Sequence, residues 1–133
     1  MNLIIYNKSV DSDSARLQLI FEPLVSRDRI EISRSVKTLR QRILKTSIRD
    51  GIVILIARER NDLTELLPII DLFRRVRIIL LLPDRKPETI KIGYQLEPRF
   101  MSFIDRGFEE VRAVLAKMIV NEPLSNEDGA FST

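Results

Sequence analysis

The chain has 133 residues and contains no cysteine, no histidine and no tryptophan. Without cysteine it forms neither disulfides nor thiolate metal sites, and without histidine it lacks the side chain that most often serves as a general base. Its four glycines are scattered, so the sequence has no glycine-rich loop of the kind that cradles a phosphate. From these absences we expect a protein that is not an enzyme and that binds neither a metal nor a cofactor.

Long hydrophobic runs are missing as well. The longest uninterrupted one covers residues 52–57, whereas a membrane span needs about 20 residues. No basic segment precedes the apolar residues 2–6 and no small-residue cleavage site follows them, so we expect no secretory signal. These features predict a cytoplasmic protein with no membrane partner.

Five short apolar or alternating stretches are separated by amphipathic segments. The predicted strands are residues 2–6, 29–33, 52–57, 76–82 and 99–104. The third and fourth are apolar at almost every position, which is typical of strands buried on both faces of a parallel sheet. The second alternates, with Ile30 and Ile32 on one face, as an edge strand does.

Apolar residues at spacings of three and four predict a helix after each strand. The predicted helices are residues 15–25, 36–46, 63–75, 88–95 and 108–120. Pro23 and Pro68 are expected to end or bend the first and third helices. Asn61 or Asp62 is predicted to cap the third, and Pro87 suits the first position of the fourth. The fourth segment also alternates, so extended chain stays an alternative there.

Five strand–helix units of about 25 residues each favour one doubly wound α/β domain, (βα)5, over residues 1–120. Right-handed crossovers then imply a flavodoxin-like three-layer sandwich, whose parallel five-stranded sheet has the order 2-1-3-4-5. Residues 121–133 are polar and predict a disordered C-terminal tail.

The segment that covers residues 102–111 reads Ser-Phe-Ile-Asp-Arg-Gly-Phe-Glu-Glu-Val. With the five-unit rhythm of residues 1–120, it resembles the receiver domain of two-component response regulators, around the fifth strand and the acidic start of the last helix. The resemblance implies a flavodoxin-like fold, a phosphorylated Asp with bound Mg²⁺, and signalling through the face of helix 4, strand 5 and helix 5.

The positions that carry receiver chemistry depart from the receiver pattern. In place of the Mg²⁺-binding acids of receivers this chain has Asn7-Lys8, and in place of their phosphorylated Asp it has residues 56–58. In place of the receiver Thr or Ser it has Leu82-Pro83, and in place of the receiver Lys it has Asp105-Arg106. Mg²⁺ needs oxygen ligands and an aspartyl-phosphate needs a carboxylate. Asp11 and Asp13 are better suited to capping helix 1. The sequence therefore predicts a pseudo-receiver that is not phosphorylated in the usual way.

A protein that has the fold but not the chemistry of a receiver is expected to act by binding. We predict a phosphorylation-independent signalling adaptor whose partner is another signalling protein, or a second copy in a homodimer, at the face that receivers use. Aromatic and arginine side chains are enriched at interface hot spots. The candidate interface residues are Tyr94, Arg99, Arg106, Phe108, Glu109 and Arg112.

An alternative from another class rests on charge. Residues 26–60 hold ten Lys and Arg against four Asp and Glu, a local net charge of +6 in a chain of net charge +3. An anion- or nucleic-acid-binding face would use Arg34, Lys37, Arg40, Arg42, Lys45 and Arg49. A solvated helix face is the simpler interpretation, and no interleaved aromatics are available for base stacking.

Two further alternatives concern small-molecule chemistry. The loop of residues 7–14 contains serines and Lys8 that suit a flavin or nucleotide phosphate, but its two aspartates repel one. Asp84 and Asp105 follow adjacent predicted strands and could form a catalytic pair. Because Arg85 and Arg106 stand next to them, local ion pairs are the simpler expectation.

Overall fold

Strands and helices alternate through the part of the chain that the computed structural model describes, residues 2–8, 18–45 and 51–125. The strands are β1 (Asn2–Asn7), β2 (Ile30–Ser33), β3 (Gly51–Ile56), β4 (Arg77–Leu82) and β5 (Phe100–Phe103). The helices are α1 (residues 18–21), α2 (Val36–Lys45), α3 (Arg60–Leu66), α4 (Pro87–Gln95) and α5 (Glu109–Ser125). Short 3-10 helices cover Arg27–Arg29, Leu67–Arg75 and Ile104–Arg106.

The five strands form one parallel sheet in the order β2-β1-β3-β4-β5. In its register, Ile5 is paired with Ile32 on one side and with Ile54 on the other, and Ile54 is paired in turn with Ile79. Leu81 is paired with Ser102 of the edge strand β5. The predicted three-layer, flavodoxin-like α/β architecture and its strand order are confirmed.

The core consists of two apolar layers, one on each face of the sheet. On one face, β-strand side chains such as Leu55 and Leu80 pack against α2, α3 and α4. On the other face, Ile54 and its neighbours pack against Phe21 of α1 and Val111 of α5. Every residue of β3 is buried, because a central strand of a parallel sheet is covered by helices on both faces.

The third predicted helix, residues 63–75, is wrong in its start and in its continuity. The α-helix begins at Arg60 and ends at Leu66, and the chain continues as a 3-10 helix over Leu67–Arg75. Pro68 supplies the reason, since it has no N–H for the helical ladder and its ring collides with the preceding turn. Ile69, next to it, has the non-helical dihedrals φ −109° and ψ 21°.

The last two helices also differ from the prediction in detail. The alternative of extended chain at residues 88–95 is wrong, because Pro87 starts a regular helix there. Helix α5 continues to Ser125, beyond the predicted boundary at residue 120. The polar residues that follow end the apolar stripe, but losing the stripe does not by itself end a helix, and the long side chain of Glu122 suits one. The rest of the predicted tail, residues 126–133, lies outside the described residues.

Within the described ranges, no helix combines the length and the apolar character that crossing a bilayer requires.

Candidate functional site at the carboxyl edge of the sheet

The carboxyl ends of β1 and β3 meet in a small charged cluster. The Lys8 ammonium lies 2.8 Å from Oε1 of Glu65 and 3.5 Å from Oδ1 of Asp62. The hydrogen bond to Glu65, together with the charges of both carboxylates, raises the pKa of Lys8 above its usual value despite some desolvation. Lys8 therefore stays protonated and neutralises acids that α3 brings to the edge.

Asp62 is the structural centre of that cluster. Its side chain is almost buried, at 4% exposed, and its Oδ2 accepts hydrogen bonds from the backbone N–H groups of Arg58 (2.9 Å) and Glu59 (3.3 Å). Glu59 is the N-cap of α3, and Asp62 is the third helical residue of a reciprocal capping box. The predicted cap at Asn61 or Asp62 is thus wrong in position, because a capping box places its acid three residues inside the helix.

Tyr6 lies just before this cluster in the apolar layer under α2 and α3. Its side chain is fully buried, and among the described residues its hydroxyl has no hydrogen-bond partner. Burial, with smaller contributions from the charges of Asp62 and Glu65 against Lys8, raises the pKa of Tyr6 to about 12. The buried Tyr6 side chain is therefore uncharged at physiological pH.

A second ion pair closes the edge between β4 and β5. The Arg85 guanidinium donates to both carboxylate oxygens of Asp105, at 2.8 and 3.1 Å, and lies 4.1 Å from the centre of the Phe103 ring. The hydrogen bonds from Arg85 hold the pKa of Asp105 below its usual range. The paired geometry and the ring contact fix the loop after β4 against the loop after β5.

Asp84 and Asp105, the hypothetical catalytic pair, each have a bonding partner of their own. Oδ1 of Asp84 accepts a hydrogen bond from the backbone N–H of Lys86 at 3.0 Å, and that bond lowers the pKa of Asp84. Asp105 is bound to Arg85, so the two carboxylates have separate partners. In the described part of the chain, no cluster of three or more acidic residues is arranged to hold a metal ion.

The start of α5 is also tied to this edge. Ser102 Oγ donates a hydrogen bond to Oε1 of Glu110 at 2.9 Å, and Arg106 Nε lies 3.2 Å from the same oxygen. Gly107 lies between the 3-10 helix Ile104–Arg106 and α5. Its φ is +80°, a conformation that favours glycine.

A groove of about 760 Å³ opens beside this edge, between α1 and the start of α5. Its apolar lining consists of Leu19, Ile20, Pro23, Ile104 and Phe108. Leu19 is 67% exposed and was not among the predicted site residues. It lies outside the apolar stripe of its helix, and a leucine off the stripe is the signal that would have drawn attention to it.

The predicted interface residues fall into two groups on opposite layers of the molecule. Tyr94, 67% exposed, lies on α4, whereas Phe108, Glu109 and Arg112 line the groove beside α5. The edge strand β5 lies between these groups. Arg99 leads into β5 with an exposed side chain.

The residues of the predicted basic face do not all lie exposed on one surface. Lys37, Arg40 and Lys45 are exposed on α2, and Arg34 is exposed just before it. Arg42 instead donates to the backbone carbonyl of Ile32 and to Ser33 Oγ, with Glu31 at 4.0 Å. Arg49 lies outside the described residues.

Comparisons with known proteins agree with this fold. No family model matches the chain, and no curated protein matches it. Among solved structures, the chain is similar to a pilus assembly-related protein from Burkholderia pseudomallei K96243, with a TM-score of 0.60 and 14% sequence identity. The match covers 88% of this chain and 90% of the other. At that identity the similarity establishes a shared fold alone, which is compatible with the receiver-like architecture.

Proposed function

We propose that this protein is a non-catalytic cytoplasmic adaptor, a pseudo-receiver that binds another signalling protein without being phosphorylated. The observation that carries the proposal is the position of Lys8. At the end of β1, where receivers hold a cation with acidic side chains, this chain supplies the cation itself and neutralises it with Glu65 and Asp62.

The chemistry of the edge supports the same proposal. Phosphoryl transfer to a receiver requires a carboxylate acceptor and an oxygen-liganded metal. Ala57 follows β3, where the acceptor would lie, and it is buried. The carboxylates of Asp62 and Asp105 are already bonded to N–H groups or cations. A divalent ion would have to displace the Lys8 ammonium to reach Asp62.

For the partner surface we propose the face of α4, β5 and α5. Tyr94 offers an exposed aromatic ring with a polar end, a residue type that is enriched in interface hot spots. Arg99 and Arg106 lie on exposed positions near β5. The partner is another signalling protein or a second copy of this chain. Because the similar solved structure is described as pilus assembly-related, components of a pilus assembly system are the first candidates.

The test of phosphorylation independence is intact-mass spectrometry after incubation with acetyl phosphate and Mg²⁺. We expect no mass gain for the wild type, with an active receiver domain as positive control. The Ala57→Asp variant is a matched comparison that restores an acidic side chain after β3. A stable phosphoryl adduct on the wild-type protein would overturn the proposal.

The test of the partner surface is affinity capture from native lysate after nuclease treatment, with bound proteins read by mass spectrometry. We expect a discrete protein that survives moderate salt and is lost with Tyr94→Ala. The control is Lys91→Ala, an exposed substitution on the same helix. Equal capture by wild type and both variants would show that α4 is not part of the interface. Recovery of nucleic acid, with every protein lost after nuclease, would contradict the adaptor function.

A further inference from the structure

The outer face of α2 carries positive charge around one exposed leucine. Lys37, Arg40 and Lys45 are exposed, and α2 contains no acidic residue. In the described part of the chain, these three side chains form no ion pair. Leu44 is 43% exposed. It shares one side of the helix with Lys37 and Arg40, because positions 37, 40, 41 and 44 lie on one face, and Lys45 is its neighbour in the chain.

Helix stability does not account for the first two of these cations, Lys37 and Arg40. Lys37 lies in the first turn, where the helix dipole favours acids, and that turn contains none. Lys37 and Arg40 stand three positions apart, a spacing at which like charges repel. The N-terminus itself is capped internally, since the backbone N–H of Thr38 donates to Ser35 Oγ at 3.2 Å. Lys37 and Arg40 therefore lower helix stability in a way that an anionic partner would reverse, whereas Lys45 lies in the last turn, where the dipole favours a cation.

The neighbouring sheet edge is blocked at one position, so the helix face is the better docking surface. Arg42 turns away from the other cations and donates to the carbonyl of Ile32 in the edge strand β2. A peptide that added a strand to β2 would have to displace this bond. A partner that lies on α2 leaves it intact.

The surroundings of α2 favour a narrow partner over a flat one. Two elements that pack beside α2 each carry an exposed acidic side chain, Glu31 on β2 (52% exposed) and Asp71 on the 3-10 helix (87% exposed). An anionic bilayer would approach both of them, whereas a peptide contacts the helix alone. A nucleic acid fits this face less well than a peptide. Its phosphate backbone has no apolar group to place against Leu44, and α2 contains no aromatic residue on which bases could stack.

We propose that the outer face of α2 binds an acidic peptide segment of a partner protein. The segment places an apolar side chain against Leu44 and carboxylates against Lys37, Arg40 and Lys45. This surface lies away from Tyr94 and the groove beside α5, so it adds a second contact to the proposed adaptor. Failure at either surface leaves the other standing, because the variants that test them lie on different helices.

The direct test is fluorescence anisotropy with a labelled synthetic peptide of alternating glutamate and leucine. A second peptide with alanine in place of each leucine isolates the apolar contact. We expect the wild type to bind the first peptide more tightly, with an affinity that falls as salt rises. Arg40→Glu or Lys37→Glu is expected to weaken binding about fivefold each, and Leu44→Ala about threefold.

Two control variants test whether peptide binding depends on the α2 face, and not on an exposed cation or an exposed leucine elsewhere on the protein. Lys91→Glu reverses an exposed cation on α4, and Leu19→Ala removes an exposed leucine on α1; both are expected to bind as the wild type does. The α2 variants are expected to fold, since residues 37, 40 and 44 are exposed and, at position 37, glutamate in the first helical turn agrees with the dipole. If thermal melting shows otherwise, Lys37→Gln and Arg40→Gln provide the same test without charge reversal.

Three results would overturn the inference. One is equal binding of the peptide by wild type, the α2 variants and the controls, and another is no binding by the wild type at low salt. The third is tighter binding to duplex DNA, or to phosphatidylcholine vesicles containing phosphatidylglycerol, that is unchanged by Leu44→Ala. That result would assign the basic face to another polyanion.

Discussion

Lys8 and Glu65 form an ion pair of 2.8 Å between the end of β1 and helix α3, across 57 positions of sequence. With Asp62 at 3.5 Å, this pair fixes the position of α3 against the carboxyl edge of the sheet. An edge that a receiver keeps open for a metal and a phosphoryl group is here closed by the protein's own charges. That closure is the observation on which the adaptor function proposed above rests.

Removal of the Lys8 ammonium is predicted to destabilise the fold modestly. In Lys8→Ala, the nearly buried Asp62 carboxylate keeps its backbone N–H donors but loses its countercharge. Because Lys8 is 37% exposed and partly screened by solvent, we expect a loss of about 1 kcal/mol or less in the free energy of unfolding. Urea denaturation measures it.

The control for this prediction is Arg74→Ala. Arg74 pairs with Asp71 at 3.6 Å, and both side chains are strongly exposed, so this pair contributes almost nothing. Equal stability changes in the two variants would show that the contact of Lys8 with Asp62 has no special role.

The sequence predicted the fold better than it predicted the site. Residues 52–57 and 77–82 are apolar at almost every position, which is typical of strands covered on both faces, and the five-unit rhythm with right-handed crossovers then predicted the sheet order. The partners of Lys8 could not be read in the same way, since Asp62 and Glu65 reach it only after β1 and β3 pair. The arrangement of Tyr94 and Phe108 was equally hidden, since only the folded chain shows that their helices pack on opposite faces of the sheet with β5 between them.

Tyr6 is predicted to make the protein sensitive to alkaline pH. Its folded pKa of about 12 lies above the ordinary value of 10.0, so the stabilisation is complete below pH 10 and is lost as pH rises towards 12. Over that range, Tyr6→Phe should remove a decrease of roughly 2 kcal/mol in the free energy of unfolding. Near pH 7 the variant should be as stable as the wild type or slightly more so, since the hydroxyl has no hydrogen-bond partner among the described residues.

Tyrosinate absorbance in the near ultraviolet tests this directly, because the chain has only two tyrosines. In Tyr94→Phe the remaining signal belongs to Tyr6 and is expected to titrate near pH 12. Titration of that signal at the ordinary value of tyrosine in the folded protein would contradict the burial of Tyr6.

Arg85→Gln is predicted to raise the pKa of Asp105 towards its ordinary value. The Arg85 hydrogen bonds lower that pKa, and a lowered acid pKa contributes stability that is present near neutral pH and is lost as pH falls through the folded value. Carboxyl NMR titration of Asp105 in wild type and variant measures the change. Arg106→Gln is the control, since the charge of Arg106 contributes less to Asp105. An unchanged Asp105 titration in Arg85→Gln would show that the ion pair is not formed in solution.

Gly93→Ala tests how closely α4 is pressed onto the sheet. A β-carbon at position 93 would lie 3.0 Å from Met101 Sδ and 3.1 and 3.2 Å from methyl groups of Leu82 and Leu80. Alanine normally favours a helix over glycine by about 1 kcal/mol, but the crowding against three core side chains costs more. We expect a net destabilisation of about 1 kcal/mol in urea denaturation and a shift of the Met101 methyl resonance.

Gln95→Ala provides the comparison on the same helix, because Gln95 is exposed and its replacement should leave both stability and the Met101 resonance unchanged. Since Tyr94 is adjacent to Gly93, a displaced α4 should also weaken partner capture through Tyr94. If Gly93→Ala were more stable than the wild type, the helix would have room to spare against β4 and β5.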